Sequence, residues 1–418
     1  MARLLLLLPT TTYRSAAFVE AARQIGVELT VASEQPSTLE AANPTGLITL
    51  DFQHPERAAD FLETFTRMRP PPIDAVVGVD DDTAIVAAAV AGRLKLKGNP
   101  LQAAVAARDK HRQRELLAEA GVPIPRFELH NFGENPEGIS RSLAYPCVLK
   151  PLRLSASRGV IRADNPSDFL TAHARLRRIL AEPDATACGE PSLQFLIEEF
   201  IPGYEVAVEG LLMNRRLQTL AIFDKPDPLD GPFFEETIYV TPSRTPASVQ
   251  AAITDCAERA AGALGLAEGP IHAELRHNER GPWLIELAAR PIGGRCSAVL
   301  RFTSTEHGAR SKSTLEEIIL RHALGMPIPM LQRERLAAGV MMIPIPGAGT
   351  LKEVRGVGEA KAVPLVEDVQ ITAHPGERLV PFPEGSRYPG FIFARGETPA
   401  LVERALREAH RRLTFVLA

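Results

Sequence analysis

Two glutamates, Glu274 and Glu286, stand in a stretch whose pattern can bring their carboxylates face to face, and facing carboxylates make a seat for a divalent cation. The runs His272 to Arg276 and Trp283 to Leu287 alternate apolar and polar residues. They flank a polar Asn278-Glu279-Arg280-Gly281 segment, the signature of an antiparallel hairpin with a short loop. Both glutamates are equidistant from Arg280, so symmetric pairing would set their Cβ atoms about 5 Å apart across the strands. At an effective dielectric near 20, like charges about 5 Å apart repel by roughly 3 kcal/mol. A cation between them reverses that sign. A register shift or a solvated sheet edge would separate them instead, and the hairpin by itself leaves the two readings balanced.

Groups able to hold a nucleotide lie upstream. Asp109 can cap a helix through Leu116, Leu117 and Ala120 that ends at Gly121, which puts Lys110 in a first turn, where helices attract anions. Alone, Lys110 reads as a solvated lysine. Tyr145 to Pro151 is a strand on which Val148 and Lys150 share a face, and a lysine among apolar neighbours must find an anion or reach solvent. Next, Ser155-Ala156-Ser157-Arg158-Gly159-Val160 is a small-residue loop whose hydroxyl, amide and guanidinium donors can fold over a polyphosphate. The stretch Leu193 to Glu209 reads as strand, Pro-Gly turn and strand, with Glu198 and Phe200 on one face and Glu205 opening the second strand. A carboxylate at such a hinge can accept from an exocyclic amine while the backbone reads a purine edge, and a carboxylate past the turn can hold ribose hydroxyls. The plain alternative is a hairpin of exposed glutamates.

The elements that must carry these groups follow from periodicity. Residues 3 to 8 read as a strand, Phe18, Ala22 and Ile25 as the apolar face of a helix, and Val27 to Ala32 as a second strand; Gly46 to Leu50 and Ala75 to Val79 continue the βαβ pattern. The triplet Asp80-Asp81-Asp82 suits the N-terminus of the following helix, so capping is its reading. This first unit is Rossmann-like, ends near Asn99 and has no GxGxxG fingerprint, so it lends a wall to a site built elsewhere. A chain of 418 residues holds several domains, and its net charge of −4 supplies no basic field, so no nucleic-acid partner is expected. Cys147, Cys188, Cys256 and Cys296 are too scattered for a metal-ligand pair and suit a reducing, cytoplasmic setting. The run Leu4 to Leu8 is too short for a signal peptide, and nothing is long enough to span a membrane.

Taken in order, these features resemble the ATP-grasp superfamily over most of the chain. The resemblance rests on Lys110 at a helix start, Lys150 before Pro151, the loop Ser155 to Val160, the hinge Glu198-Glu199-Phe200-Ile201, Glu205 seven residues after Glu198, and Glu274…Glu286-Leu-Ala-Ala-Arg290. It implies a fold of mixed α/β and α+β class: a Rossmann-like domain over 1–99, an ATP-grasp domain over 100–330 and a small α+β lid over 331–418. It also implies roles. Lys110, Lys150 and the loop with Ser155, Ser157, Arg158 and Gly159 would hold ATP phosphates; Glu198 would meet the adenine amine, the backbone of Phe200 and Ile201 the ring, and Glu205 the ribose. Glu274 and Glu286 would hold Mg2+, or Mn2+ in its place, and Arg290 would steady the phosphoryl group and an acyl phosphate. One residue departs from the pattern: Ala288 stands where many relatives have Asn, which weakens a second metal position.

The tail Ala288-Ala-Arg-Pro-Ile-Gly-Gly294 and the C-terminal segment are most similar to L-amino-acid ligases, which join two amino acids into a dipeptide. On that resemblance Glu235 or Glu236 receives an ammonium group, and Arg290 with the Gly293-Gly294-Arg295 backbone receives a carboxylate. The implied partners are small-molecule carboxylate and amine substrates, with a homodimer as the expected assembly. The rival readings are a carboxylase of the biotin-dependent or purine-biosynthetic kind and a non-catalytic nucleotide-binding regulator. No Met-Lys-Met biotin-attachment motif is present, and every charged position of the motif set is.

Overall fold

The computed structural model describes residues 1–186, 189–304, 311–328 and 332–418. Cys188 lies outside them. The leucine run forms β1 (Arg3–Leu7) at the interior of a parallel sheet with β2 (Glu28–Ser33), β3 (Leu47–Thr49) and β4 (Ala75–Gly78), in the order β3-β2-β1-β4. Its side chains serve two cores: Leu4 and Leu6 pack with Phe18 of α1 (Ser15–Gln24), while Leu5 and Leu7 pack with Leu62 of α2 (Pro55–Met68) and Val86 of α3 (Asp81–Leu94). A strand buried on both faces needs an unbroken apolar run, which is why this stretch can be mistaken for a leader.

Two helices, α4 (Leu101–Arg108) and α5 (Lys110–Glu119), lead to an antiparallel sheet of β5 (Phe127–Asn131), β6 (Cys147–Pro151), β7 (Ile161–Ala163) and β8 (Gln194–Glu199), ordered β5-β8-β6-β7. The helix Pro166–Leu180 covers one face with Phe169, Ala172 and Leu176. Then β9 (Tyr204–Met213), β10 (Arg216–Lys225), β11 (Ile238–Thr241), β12 (Gly269–Asn278) and β13 (Gly281–Ala288) enter a second sheet. It runs β13-β12-β9-β10-β11 and continues through strands Ala337–Met342, Gly390–Gly396 and Val366–Ile371. The expected boundary near 330 therefore falls inside one continuous eight-stranded sheet: β11 pairs antiparallel with Ala337–Met342, Tyr239 opposite Val340. The helix Pro399–Arg411 seals that end with Val402, Ala405, Leu406 and Ala409.

The β12/β13 hairpin places Glu274 opposite Glu286, by a route the sequence reading had wrong. Asn278 pairs with Gly281, so the turn is centred between Glu279 and Arg280, and an unbroken ladder would set Glu274 against Ile285. A bulge intervenes. Leu275 faces Leu284 while Glu274 faces Glu286, leaving Ile285 as the extra residue. Because β13 is an edge strand, its outward backbone needs partners, and α5 with the segment after it supplies them. The Gln113 side chain exchanges hydrogen bonds with Leu287, accepting from its N–H at 3.0 Å and donating to its carbonyl at 2.8 Å. The Leu284 N–H donates to the Pro123 carbonyl, and Arg114 donates to the spare carbonyl of Ile285.

Candidate active site

A cleft of about 1490 Å³ is lined by the parallel-sheet domain, both antiparallel sheets and the segment 372–391, and it collects every sequence-predicted site residue except Phe233-side Glu235 and the buried Gly159. Those two sit beside it. Glu235 accepts from the Ile345 N–H at 3.3 Å, and the Gly159 N–H donates to the Pro383 carbonyl at 2.9 Å.

At one end of the cleft, Lys110 is the first residue of α5, whose cap Asp109 accepts from the N–H groups of His111 and Arg112. The Lys110 ammonium donates to the Leu154 carbonyl at 2.9 Å and pairs with Glu286 at 3.1 Å. Ala156 and Ser157 both adopt left-handed backbone conformations, φ 55° and 53°, so the loop is an unusual non-glycine turn. Ser155 donates to Asp81 at 3.2 Å. Arg158 does not face the cleft as a free donor: its guanidinium pairs with Glu182 and Asp184 and donates to the Glu384 carbonyl at 3.0 Å.

The hinge is more heavily ion-paired than a pattern of exposed glutamates allows. Glu198 is 2% exposed and lies between Arg114 at 2.8 Å and Lys150 at 2.7 Å. Burial pushes its carboxyl up, but the two cations outweigh burial and hold it down at about 2. Glu205 pairs with Lys225 at 2.7 Å and Arg276 at 3.0 Å, and Arg276 donates to the Ile201 carbonyl at 2.7 Å. The Phe200 ring is stacked by Arg162 and Arg276, with guanidinium carbons 4.1 and 5.0 Å from its centroid.

The centre of the cleft holds a second charge cluster. Lys225 touches Glu205, Glu236 and Glu274, the last at 3.1 Å, and lies 5.0 Å from the Tyr239 ring centroid. Oxygens of these three glutamates lie within 4.8 Å of one another, a spacing that would suit a metal, and the Lys225 ammonium sits among them. Burial and the neighbouring Glu274 charge raise Glu236 to about 8. Glu274 goes the other way: burial would raise it, but Lys225 and His272, the latter 3.3 Å away, hold it well below the carboxylate range. Glu286 makes its pair with Lys110 and stays about a third exposed toward the cleft. Two facing oxygen-donor side chains fit a hard divalent cation, and Ala288, which also lines the cleft, adds no donor.

Arg290 follows β13 into the cleft and is held at 3.1 Å by Asp81. Burial opposes its charge, and Asp81 with Glu286 more than restores it. The acidic triplet therefore divides its work. Asp80 is the cap, in a capping box with Thr83; Asp81 holds Arg290, and Asp82 pairs with Arg108 at 2.9 Å. All three stand at the helix N-terminus as expected, Asp80 as the cap and Asp81 and Asp82 in the first turn.

Sequence reasoning missed Arg114, Lys225, Arg276 and Asp81. The signal for Arg276 was available, since His272, Glu274 and Arg276 alternate on one face of β12. Lys225 also carried a hint, since with Asp224 it forms a charged pair directly after the apolar run Leu220 to Phe223.

Profiles of known families tile the chain. An ATP-grasp N-terminal domain matches residues 19–98, an ATP-grasp domain residues 143–299, and L-amino acid ligase C-terminal domain 2 residues 341–418. The chain carries an ATP-grasp domain behind an ATP-grasp N-terminal domain. Among its relatives, alanine–anticapsin ligase of Bacillus subtilis is 31% identical over 48% of this ATP-grasp chain and 45% of its own length. Dapdiamide A synthase of Enterobacter agglomerans is 26% identical over 82% of this chain and 80% of its own. The chain thus spans about half the length of several curated relatives it matches. In fold, it superposes on the crystal structure of L-amino acid ligase from Bacillus licheniformis with TM-score 0.78, at 24% identity, covering 100% of this chain and 99% of that one.

Proposed function

We propose that this ATP-grasp chain is an ATP-dependent carboxylate–amine ligase that joins amino acids or related small molecules through an acyl phosphate. The observation that carries the reading is the junction at the end of β13. Glu274 faces Glu286, Lys110 pairs with Glu286, and Arg290, just past the end of β13, enters the same cleft, held by Asp81 from another domain.

A carboxylate is a poor electrophile, because attack on it must expel an oxide. Transfer of the ATP γ-phosphoryl group to one carboxylate oxygen gives an acyl phosphate and ADP; an amine then adds to the carbonyl, loses a proton and expels phosphate. The first step asks mainly for charge neutralisation and alignment, which lysines and arginine supply. Lys110 and Lys150 would hold the phosphates, the segment 155–159 would cover them, and the Ile201 to Glu205 hinge would hold the nucleoside. Glu274 and Glu286 would hold Mg2+, which supplies neutralisation of phosphate charge when bound. Arg290 would meet the transferred phosphoryl group. Glu236 shares its surroundings with Lys225 and is the carboxylate placed to receive the substrate ammonium. Named relatives that are amino-acid ligases, and the matching C-terminal domain, support this reading over a carboxylase.

The test is phosphate release from ATP with Mg2+, screened against pairs of amino acids and against bicarbonate, with mass analysis of products. Stimulation by pairs with an amide product is the expected outcome. Stimulation by bicarbonate alone sinks the ligase reading, and tight ATP binding without turnover favours a regulator.

A further inference from the structure

Most cations that line the cleft have a carboxylate partner in the protein. Lys110 has Glu286, Lys150 has Glu198, Lys225 has three glutamates, Arg276 has Glu205, and Arg290 has Asp81. Arg295 differs. Among the described residues its guanidinium has no carboxylate partner: Nη1 donates to the side-chain carbonyl of Gln370, and the buried Nε has no acceptor. The group is nevertheless fixed. It lies between the Tyr13 ring, 5.4 Å from its centroid, and the Phe391 ring, 5.2 Å away, so residues of the first domain and of the C-terminal segment clamp it from two sides. Its backbone is left-handed at φ 55°, a conformation that a branched or bulky side chain rarely adopts. Tyr13, Arg290 and Arg295 all line the cleft. A partly buried guanidinium with an idle donor and no counter-ion is costly unless an anion completes it.

We propose that the Arg295 side chain is the anchor for the carboxylate of the amine substrate, and hence that the acceptor is a free amino acid or another amine that bears a carboxylate. The assignment rests on the ligase reading above and deepens it. Two carboxylates enter an amino-acid ligation, and their charges have different fates. The donor's is consumed as it is phosphorylated, beside Lys110 and Arg290. The acceptor's persists from binding to product. A rigid arginine that no protein acid neutralises matches the charge that persists. The exposed Arg378 and Arg387, on the segment that borders the same part of the cleft, add positive field for its entry.

The test uses the full chain with ATP, Mg2+ and a donor amino acid taken from the pair screen, and offers each acceptor both as the free acid and as its primary amide. The expected result is a preference in kcat/KM for the acid of about 30-fold or more, the usual worth of a charge-assisted pair. Arg295→Gln should cut that preference to within about 3-fold, chiefly by raising KM for the acid, while KM for ATP stays unchanged. Arg295→Lys should keep part of it. The acid-to-amide ratio is taken within each variant, so a reduced folded fraction cancels. Equal use of acid and amide by the native chain overturns the proposal and leaves the ligase reading intact. So does a preference that survives Arg295→Gln, or a variant whose defect lies in KM for the donor. No amide product from any pair is the separate signature of a failed ligase reading, and it removes this assignment too.

Discussion

Arg290 reaches the cleft only because Asp81, 209 positions away in sequence, holds its Nε, and the two groups together explain why a buried arginine stays charged. Replacing it with lysine keeps a cation but loses the planar fork. Arg290→Lys should lower kcat about 10²- to 10³-fold with KM for ATP little changed, measured by coupled ADP release; an unchanged kcat would remove Arg290 from the chemistry. At Ala288 the opposite experiment is available. Ala288→Asn adds an oxygen donor to the cleft wall two residues beyond Glu286, and the apparent Mg2+ requirement should fall several-fold in a metal titration of ATP turnover. The residue types of this site were legible from sequence, but most of their partners were not. Glu198 could be seen as a hinge acid because Glu-Glu-Phe-Ile is local; that Arg114 and Lys150 enclose it is a fact of three elements meeting.

At the level of elements, the β6/β8 pair and α5 are joined through that enclosed carboxylate. Glu198 is depressed from 4.5 to about 2 in the fold. The stability it contributes is therefore complete above pH about 4.5 and is lost as pH falls toward 2, on the order of 3 kcal/mol across that window. Thermal unfolding measured from pH 6 to pH 3 should show this loss in the native chain and a flatter profile in Glu198→Gln. At pH 7 the same variant, which leaves two buried cations short of a partner, should be about 3–5 kcal/mol less stable. The loop 155–159 is an element with its own latch. Arg175 pairs with Glu384 through two nitrogens, one at 2.7 Å, while the Gly159 N–H and Arg158 Nε donate to the carbonyls of Pro383 and Glu384. Glu384→Ala should raise KM for ATP about 3- to 10-fold and speed proteolytic cleavage near residues 153–158; neither change would mean that the loop holds itself. Sequence periodicity found the loop and the strands around it. It could not find the latch, because Arg175 and Glu384 belong to patterns that each read as an ordinary solvated face.

Across the whole molecule, the eight-stranded sheet makes the C-terminal segment part of the central architecture. A chain ending at residue 330 would bare the β11 edge and the side chains of Ile238 and Val240, which Ala337, Met341 and Ile392 cover in the full chain. It should be recovered aggregated, where soluble folded protein would show that the central domain stands alone. The first domain was legible because a doubly buried parallel strand has one simple signature, while the shared sheet was hidden because pairing between β11 and a strand about a hundred residues later leaves no local mark.

The extra residue in β13 has a consequence that reaches beyond register. Removing Ile285 would leave Glu286 opposite Glu274, since an unbroken ladder closes the gap, so the bulge is not needed to bring the acids together. What disappears is the carbonyl that Arg114 grips, and Arg114 is the partner of Glu198, which in turn holds Lys150. The bulge works as a tether between the strand that carries Glu286 and the lysine that pairs with Glu198. On the proposed ligase reading, a chain shortened by that one residue would keep its facing acids and loosen Lys150 in the nucleotide cleft.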